Sequence, residues 1–193
     1  MTADALLRVT EALRVRLQDA LAASGVPGTV FVGPLDDADV SGAALILFLY
    51  RIVPSATLRN REHRVASNGV PPVLVYQNAL PLDLYFLVTV GSTPGASEEA
   101  PLRALGYVMR SLQGEPELTG TSVQQETVRV TLEPLSTEES SRIWALFPTA
   151  NYRTSIAYLA TPVWLDPAVP DVVATRVRQD TLLAGTAAAE VRP

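Results

Sequence analysis

The apolar positions of this chain recur at helical spacing in some stretches and alternate in others. Over residues 4–23, Leu6, Val9, Leu13, Leu17 and Leu21 return every three or four residues, which stacks them on one helix face. Arg8, Glu11, Arg14, Gln18 and Asp19 fall mostly on the other face. Asp4 or Thr2 caps the start; Gly25, which accepts a left-handed turn, and Pro27 end it. A short strand "TVFV" (29–32) and a turn-rich stretch "GPLDDADVSG" (33–42) follow. The run "AALILFLYRIV" (43–53) carries one charge in eleven residues and closes at Pro54. Its length and flanking turn residues favour a strand covered on both faces, with a buried helix as the alternative.

Residues 54–72 form an excursion that holds Arg59, Arg61 and Arg64. The cleanest alternation is in "NALPLDLYFLVTVGS" (78–92), where Leu80, Leu82, Leu84, Phe86, Val88 and Val90 line one face. Asp83, Tyr85 and Thr89 sit on the other. A second helix is expected from near Ser97 to Gly114, with Glu98 and Glu99 in its first turn and Leu102, Leu105, Met109 and Leu112 buried. "SVQQETVRVTLEP" (122–134) reads as a strand with Val128, Val130 and Leu132 on one side. Ser136 and Glu139 fit S-x-x-E, the capping box that satisfies orphaned backbone donors at a helix start. Ile143, Trp144 and Phe147 then pack inward before Pro148 stops the helix.

The last strand, "NYRTSIAYLATPVWL" (151–165), places Ile156, Tyr158 and Trp164 on one face, and Pro162 marks an edge strand or a bulge. From Asp166 to Pro193 periodicity is lost, which predicts an extended or disordered tail. The order predicts a single α+β domain over residues 1–165. A largely antiparallel sheet packs against the N-terminal helix and two further helices.

Composition narrows the chemistry. The 193 residues include no cysteine, which removes disulfides, thiol nucleophiles and thiolate metal sites. All fifteen basic residues are arginine, so Schiff-base and phosphate-loop lysines are absent too. A net charge of −5 argues against a nucleic-acid partner. No apolar run is long enough to cross a bilayer, and the charged N-terminus does not read as a signal peptide. The expected location is the cytoplasm.

No catalytic constellation emerges. The only histidine, His63 in "RNREHR", has no G-x-S-x-G elbow to serve and reads as a surface-loop residue, held toward the neutral form by its arginine neighbours. Among acids, Asp36, Asp37 and Asp39 lie in a turn that favours aspartate, and Glu98, Glu99, Glu138 and Glu139 lie at helix starts that favour acids. "GSTPG" (91–95) has the residue types of an anion nest, and a strand–helix loop needs the same residues. No catalytic, metal or cofactor-binding residues are assigned. Trp144, Trp164, Tyr152 and Tyr158 suit core or interface positions. As candidate contacts with other proteins we take Arg59, Arg61, Arg64, Tyr152, Arg153 and Trp164.

"LPLDLYFLVTVGS", the helix "APLRALGYVMRSLQG", then "VRVTLEPLSTEESSRIWALF" and "YRTSIAYLA" follow one another in an order that resembles the cap, or tail-terminator, proteins of phage-tail-like contractile injection systems. The likeness runs over about residues 4–165 and is most specific in "LEPLSTEESSRIWALF" and the strand after it. It implies a structural protein without catalysis or cofactor. Such a protein assembles as a ring of six on the last tube and sheath layer, ends polymerisation and stabilises the sheath, inside an injection particle built in the cytoplasm. Strand addition at edges and head-to-tail closure are the physical means such a part needs. Some members carry a further C-terminal module, whose functions are not expected in a sequence read to Pro193. A transient assembly adaptor for tube and sheath proteins, or a carboxylate-based hydrolase, are the alternatives.

Overall fold

Helix α1 (Ala5–Ser24) buries Val9, Leu13, Leu17 and Leu21, the stripe set by its spacing, together with Ala5 and Ala20. Gly25 closes it in the left-handed conformation (φ 71°), its N–H donating to the Ala22 carbonyl. Asp4 stands at the N-cap with no side-chain cap bond. The computed structural model describes residues 2–37, 40–66, 73–91, 97, 99–170 and 172–174. Asp39, Glu98, residues 92–95 of the glycine-rich loop and the tail from 175 onward lie outside the described residues.

Six strands make the main sheet, in the order β1 (Thr29–Val32), β2 (Ala43–Pro54), β5 (Leu80–Val90), β8 (Ser155–Leu165), β7 (Val128–Glu133) and β6 (Glu117–Leu118). β1 runs parallel to β2; every other pairing is antiparallel. β3 (His63–Ala66), β4 (Val73–Tyr76) and β9 (Val172–Ala174) form a second, antiparallel sheet. Beyond Asp166 the chain bends at Ala168 and Val169, and β9 pairs with β4.

α1 and α2 (Ala100–Gly114) cover one face of the main sheet. Leu45, Leu47, Leu84, Phe86, Val88, Val130 and Tyr158 meet the stripe of α1 and residues Ala104, Leu105, Val108 and Leu112 of α2 in the principal core. Each large side chain so buried stabilises the fold by about 1.5–3 kcal/mol. The other face is covered in part by α3 (Thr137–Trp144) and the turn at Leu35. There Trp144, Phe147, Leu35, Leu87 and Ala157 form a smaller cluster. Both faces of β5 are consequently buried from Phe86 to Val90, and β2 is fully buried only over Ala43–Leu47. Alternation in β5 is visible only in its first half for that reason.

Two expectations are corrected. α2 begins at Ala100, with Pro101 in its first turn, and turns Ala104 and Val108 inward with Leu105 and Leu112. Leu102 and Met109 are left exposed. The helix offered two overlapping apolar stripes, and the one with the small Ala104 lets it approach α1 closely.

The other correction concerns β8, which is an interior strand between β5 and β7, not an edge. Pro162 is tolerated there because it lies in a bulge: Leu82 pairs with Val163 and Leu84 with Ala160, so Thr161 and Pro162 together oppose Asp83. Thr161 donates to Asp83 at 2.5 Å across this irregularity. The extra residue reverses the facing of everything after it. Tyr158 and Ala160 point to the principal core, as does Val163, and Trp164 is sent to the opposite face from Tyr158.

Candidate functional site

The arginine-bearing segment begins where β2 ends. Buried Ser55 anchors it: its N–H donates to the Pro81 carbonyl at 2.9 Å, and its own carbonyl receives the Arg59 N–H at 3.1 Å. The Arg61 N–H closes the next turn on the Leu58 carbonyl. Arg59 and Arg61 are exposed on these turns. Arg64, one residue into β3, is also exposed and pairs with Glu62. The segment is a short built turn that presents three guanidinium groups beside the second sheet.

His63 opens β3 and is 5% exposed, which overturns its reading as a surface-loop residue. Its Nδ1 lies 2.7 Å from Asp166 Oδ1 and its Nε2 lies 3.1 Å from Glu126 Oε1. The ring stacks on Trp164, centroids 4.6 Å apart and planes within 6°, with Tyr76 further off at 6.4 Å. Burial works against the charged ring, but the hydrogen bonds and charges of Asp166 and Glu126 outweigh it and raise the His63 pKa above its ordinary 6.5. The tilt toward the neutral form expected from neighbouring arginines is thus reversed: two carboxylates flank the ring and favour its protonated form. Burial likewise pushes Asp166 upward, and the hydrogen bond and charge of His63 are among the interactions that overcome this and lower its pKa.

The cluster ties three distant parts of the chain together: the start of β3, the loop before β7 and the end of β8. Its two acids approach opposite edges of one ring, so the imidazole fills the space a substrate or metal would need. Among the described residues no three His, Asp or Glu side chains converge as a metal site requires. The geometry builds a clamp.

At the other end of the sheet, Arg153 reaches the Val90 carbonyl at 3.5 Å, and the Val90 N–H donates to Thr154. Tyr152 is 69% exposed, its ring 5.2 Å from that of buried Trp144, whose Nε1–H meets no acceptor among the described residues. Ser136 and Glu139 form the capping box expected from sequence, with the Glu139 N–H on Ser136 Oγ at 3.2 Å and the Ser136 N–H on Glu139 Oε2 at 2.9 Å. α3 needs no ligand to explain that motif.

The six nominated contact residues do not form one patch. Trp164 lies opposite Pro81, at the arginine end, and Arg153 lies beside Val90; β5 separates these levels by about 30 Å at the usual strand rise. Trp164 is 8% exposed and spends its face on His63. Asp36 is exposed in its turn. Sequence reasoning missed Glu126 and Asp166. Their partner is 63 and 103 positions away respectively, and no local spacing announces such a contact.

Among curated proteins no sequence match is found. Among solved structures the fold is similar to a cryo-EM structure of the sheath/tube terminator of an extracellular contractile injection system, PVC, in its extended state. The TM-score is 0.58 at 16% identity, covering 95% of this chain and 64% of that one. It is similar to the same degree, TM-score 0.58 and 16% identity, to the tube-terminating cap of the anti-feeding prophage, covering 95% of this chain and 62% of that one. The chain thus spans less than two thirds of the length of either terminator. The family described as the Pvc16 N-terminal domain matches residues 8–179, nearly the whole α+β body with both sheets, and this chain belongs to that family.

Proposed function

We propose that this chain is a structural cap that closes the end of the tube and sheath of a contractile injection particle, stopping polymerisation and stabilising the sheath. The observation that carries this reading is membership of the Pvc16 N-terminal domain family across residues 8–179, on a fold shared with two terminators. The chain works as a rigid body without turnover. Its partners are tube and sheath subunits and further copies of itself in a ring, taken as six, assembled in the cytoplasm into the particle. The body through residue 165 forms the capping unit, and strand β9, from the segment after it, lies on β4.

The separation of the nominated residues suits a cap that is gripped at two levels. Arg59, Arg61 and Arg64 present positive charge at one end of the sheet; Tyr152 and Arg153 present a ring and a cation at the other. Trp164 supports the first level from behind through His63.

Deletion of the gene, followed by electron microscopy of the particles, tests the reading. Particles of irregular length or with frayed sheaths are expected; unchanged length and intact sheaths refute it. Mass spectrometry of purified particles separates a cap, which stays in the finished particle, from a transient assembly adaptor, which does not.

A further inference from the structure

Two helix faces on the same side of the main sheet carry large apolar side chains that stay exposed among the described residues. On α2, Leu102 is 65% exposed and Met109 42%, and between them sits Gly106. A methyl group at Gly106 would meet nothing within 4 Å, so packing inside this chain does not call for glycine there. Glycine is nonetheless among the least favourable residues inside a helix. Its neighbours three and four positions away are Leu102, Arg103, Met109 and Arg110, which rim a notch with two apolar and two guanidinium groups. Arg103 and Arg110 make no ion pair among the described residues.

On α1, Leu7 is 68% exposed and Val15 45%. They border a groove of about 690 Å³ between the helix and Leu118 and Ser122. Charges along it are partly spent inside the chain: Glu11 pairs with Arg14, and Arg16 with Glu115. Asp4 and Asp19 remain, against Arg8. At 1.5 Å per residue Leu7 to Val15 spans about 12 Å, and Leu102 to Met109 about 10.5 Å. The two faces match in length and apolar content and are opposite in residual charge.

We propose that the α2 face of one copy docks on the α1 groove of a second copy. Gly106 admits the close approach of the two helices, Leu102 and Met109 meet Leu7 and Val15, and Arg103 and Arg110 face the acids of α1. Since the two faces belong to different parts of one molecule, the contact is head-to-tail. It repeats from copy to copy and closes as a ring where the rotation allows. The cap reading supplies only the place of this assembly in the particle; self-association belongs to the chain itself.

Sedimentation velocity on the purified full chain over a range of concentrations tests it. Wild type is expected to assemble beyond the monomer. Leu102→Glu and Leu7→Glu are each expected to weaken assembly about tenfold or more, with helical circular dichroism unchanged. Gly106→Ala makes the helix more stable and still weakens assembly, a combination that a purely structural role for the glycine does not give. Mixing the two glutamate variants, each with one intact face, yields a dimer that grows no further. A wild-type chain that stays monomeric, leaving these faces to a tube or sheath partner, overturns the proposal. So does a Leu102→Glu variant that assembles like wild type, or a mixture that forms no dimer. Failure of the cap reading appears elsewhere, as unchanged particles after gene deletion while the purified chain still self-associates.

Discussion

Replacing His63 with alanine removes the ring that Asp166 and Glu126 both bind and takes the shared partner from two carboxylates. Their side chains are 7% and 17% exposed, so neither carboxylate is well hydrated where it stands. Breaking one partner out of a buried ionic arrangement costs about 3–5 kcal/mol. Loss of the stack on Trp164 adds about 0.5–1.5 kcal/mol. Glu126, the more exposed acid, can turn toward water and recover part of this, so about 3–4 kcal/mol is expected in all. For a domain of this size that corresponds to a melting temperature lower by about 10 °C.

The loss should depend on pH in a defined window. His63 has its pKa raised in the folded chain, so its contribution is fully present below 6.5 and is lost as pH rises through the folded value. Asp166 has its pKa lowered from 3.8, so its contribution is present above that value and is lost as pH falls through the folded one. The difference between wild type and His63→Ala should therefore be greatest between about pH 4 and 6.5 and shrink on either side. Thermal melts of both proteins from pH 3 to 9 measure it. A difference under about 2 °C throughout, or one that does not vary with pH, refutes the clamp as an energetic element.

Three further outcomes are expected. Gly91→Ala puts a methyl carbon 1.8 Å from the Ala43 carbonyl oxygen, which is backbone and cannot give way, so the variant should be mostly insoluble or melt far below wild type. Ser136→Ala removes the oxygen that accepts the Glu139 N–H and should lower stability by about 1 kcal/mol in urea unfolding, whereas Thr at this position should retain most of it. The triple change Arg59→Glu, Arg61→Glu, Arg64→Glu should leave folding stability within about 0.5 kcal/mol per site, since all three side chains are exposed. It should nevertheless reduce the amount of the chain found in purified particles; unchanged occupancy would remove these arginines from the contact surface.

What the chain declares locally, it declares well. The stripe of α1 and its glycine stop, the strand at Thr29–Val32, the alternation around Leu82, Leu84 and Phe86, and the capping box at Ser136 and Glu139 all follow from contacts within a few residues. The choice of α2 face was not legible, because Leu105 and Leu112 belong to both of its apolar stripes and only the position of α1 selects between them. Period-two counting failed at Trp164 for a different reason. One extra residue at Thr161–Pro162 reverses the side-chain alternation, and Pro162 marks a possible bulge without showing that the strand around it is interior.

By itself, then, the sequence determined the three helices, strands β1, β2, β5, β7 and β8, their order and the α+β class, since helix and strand periodicity are properties of neighbouring residues. The short strands β3, β4, β6 and β9 became visible only in the fold. Only the tertiary structure decided that His63 is buried between two carboxylates that raise its pKa. Its charge state depends on Asp166 and Glu126, which reach it from 103 and 63 positions away, and on the bulge that turns Trp164 toward it. Electrostatic energy depends on distance in space, and the intervening chain length carries no information about that distance until the sheets have paired.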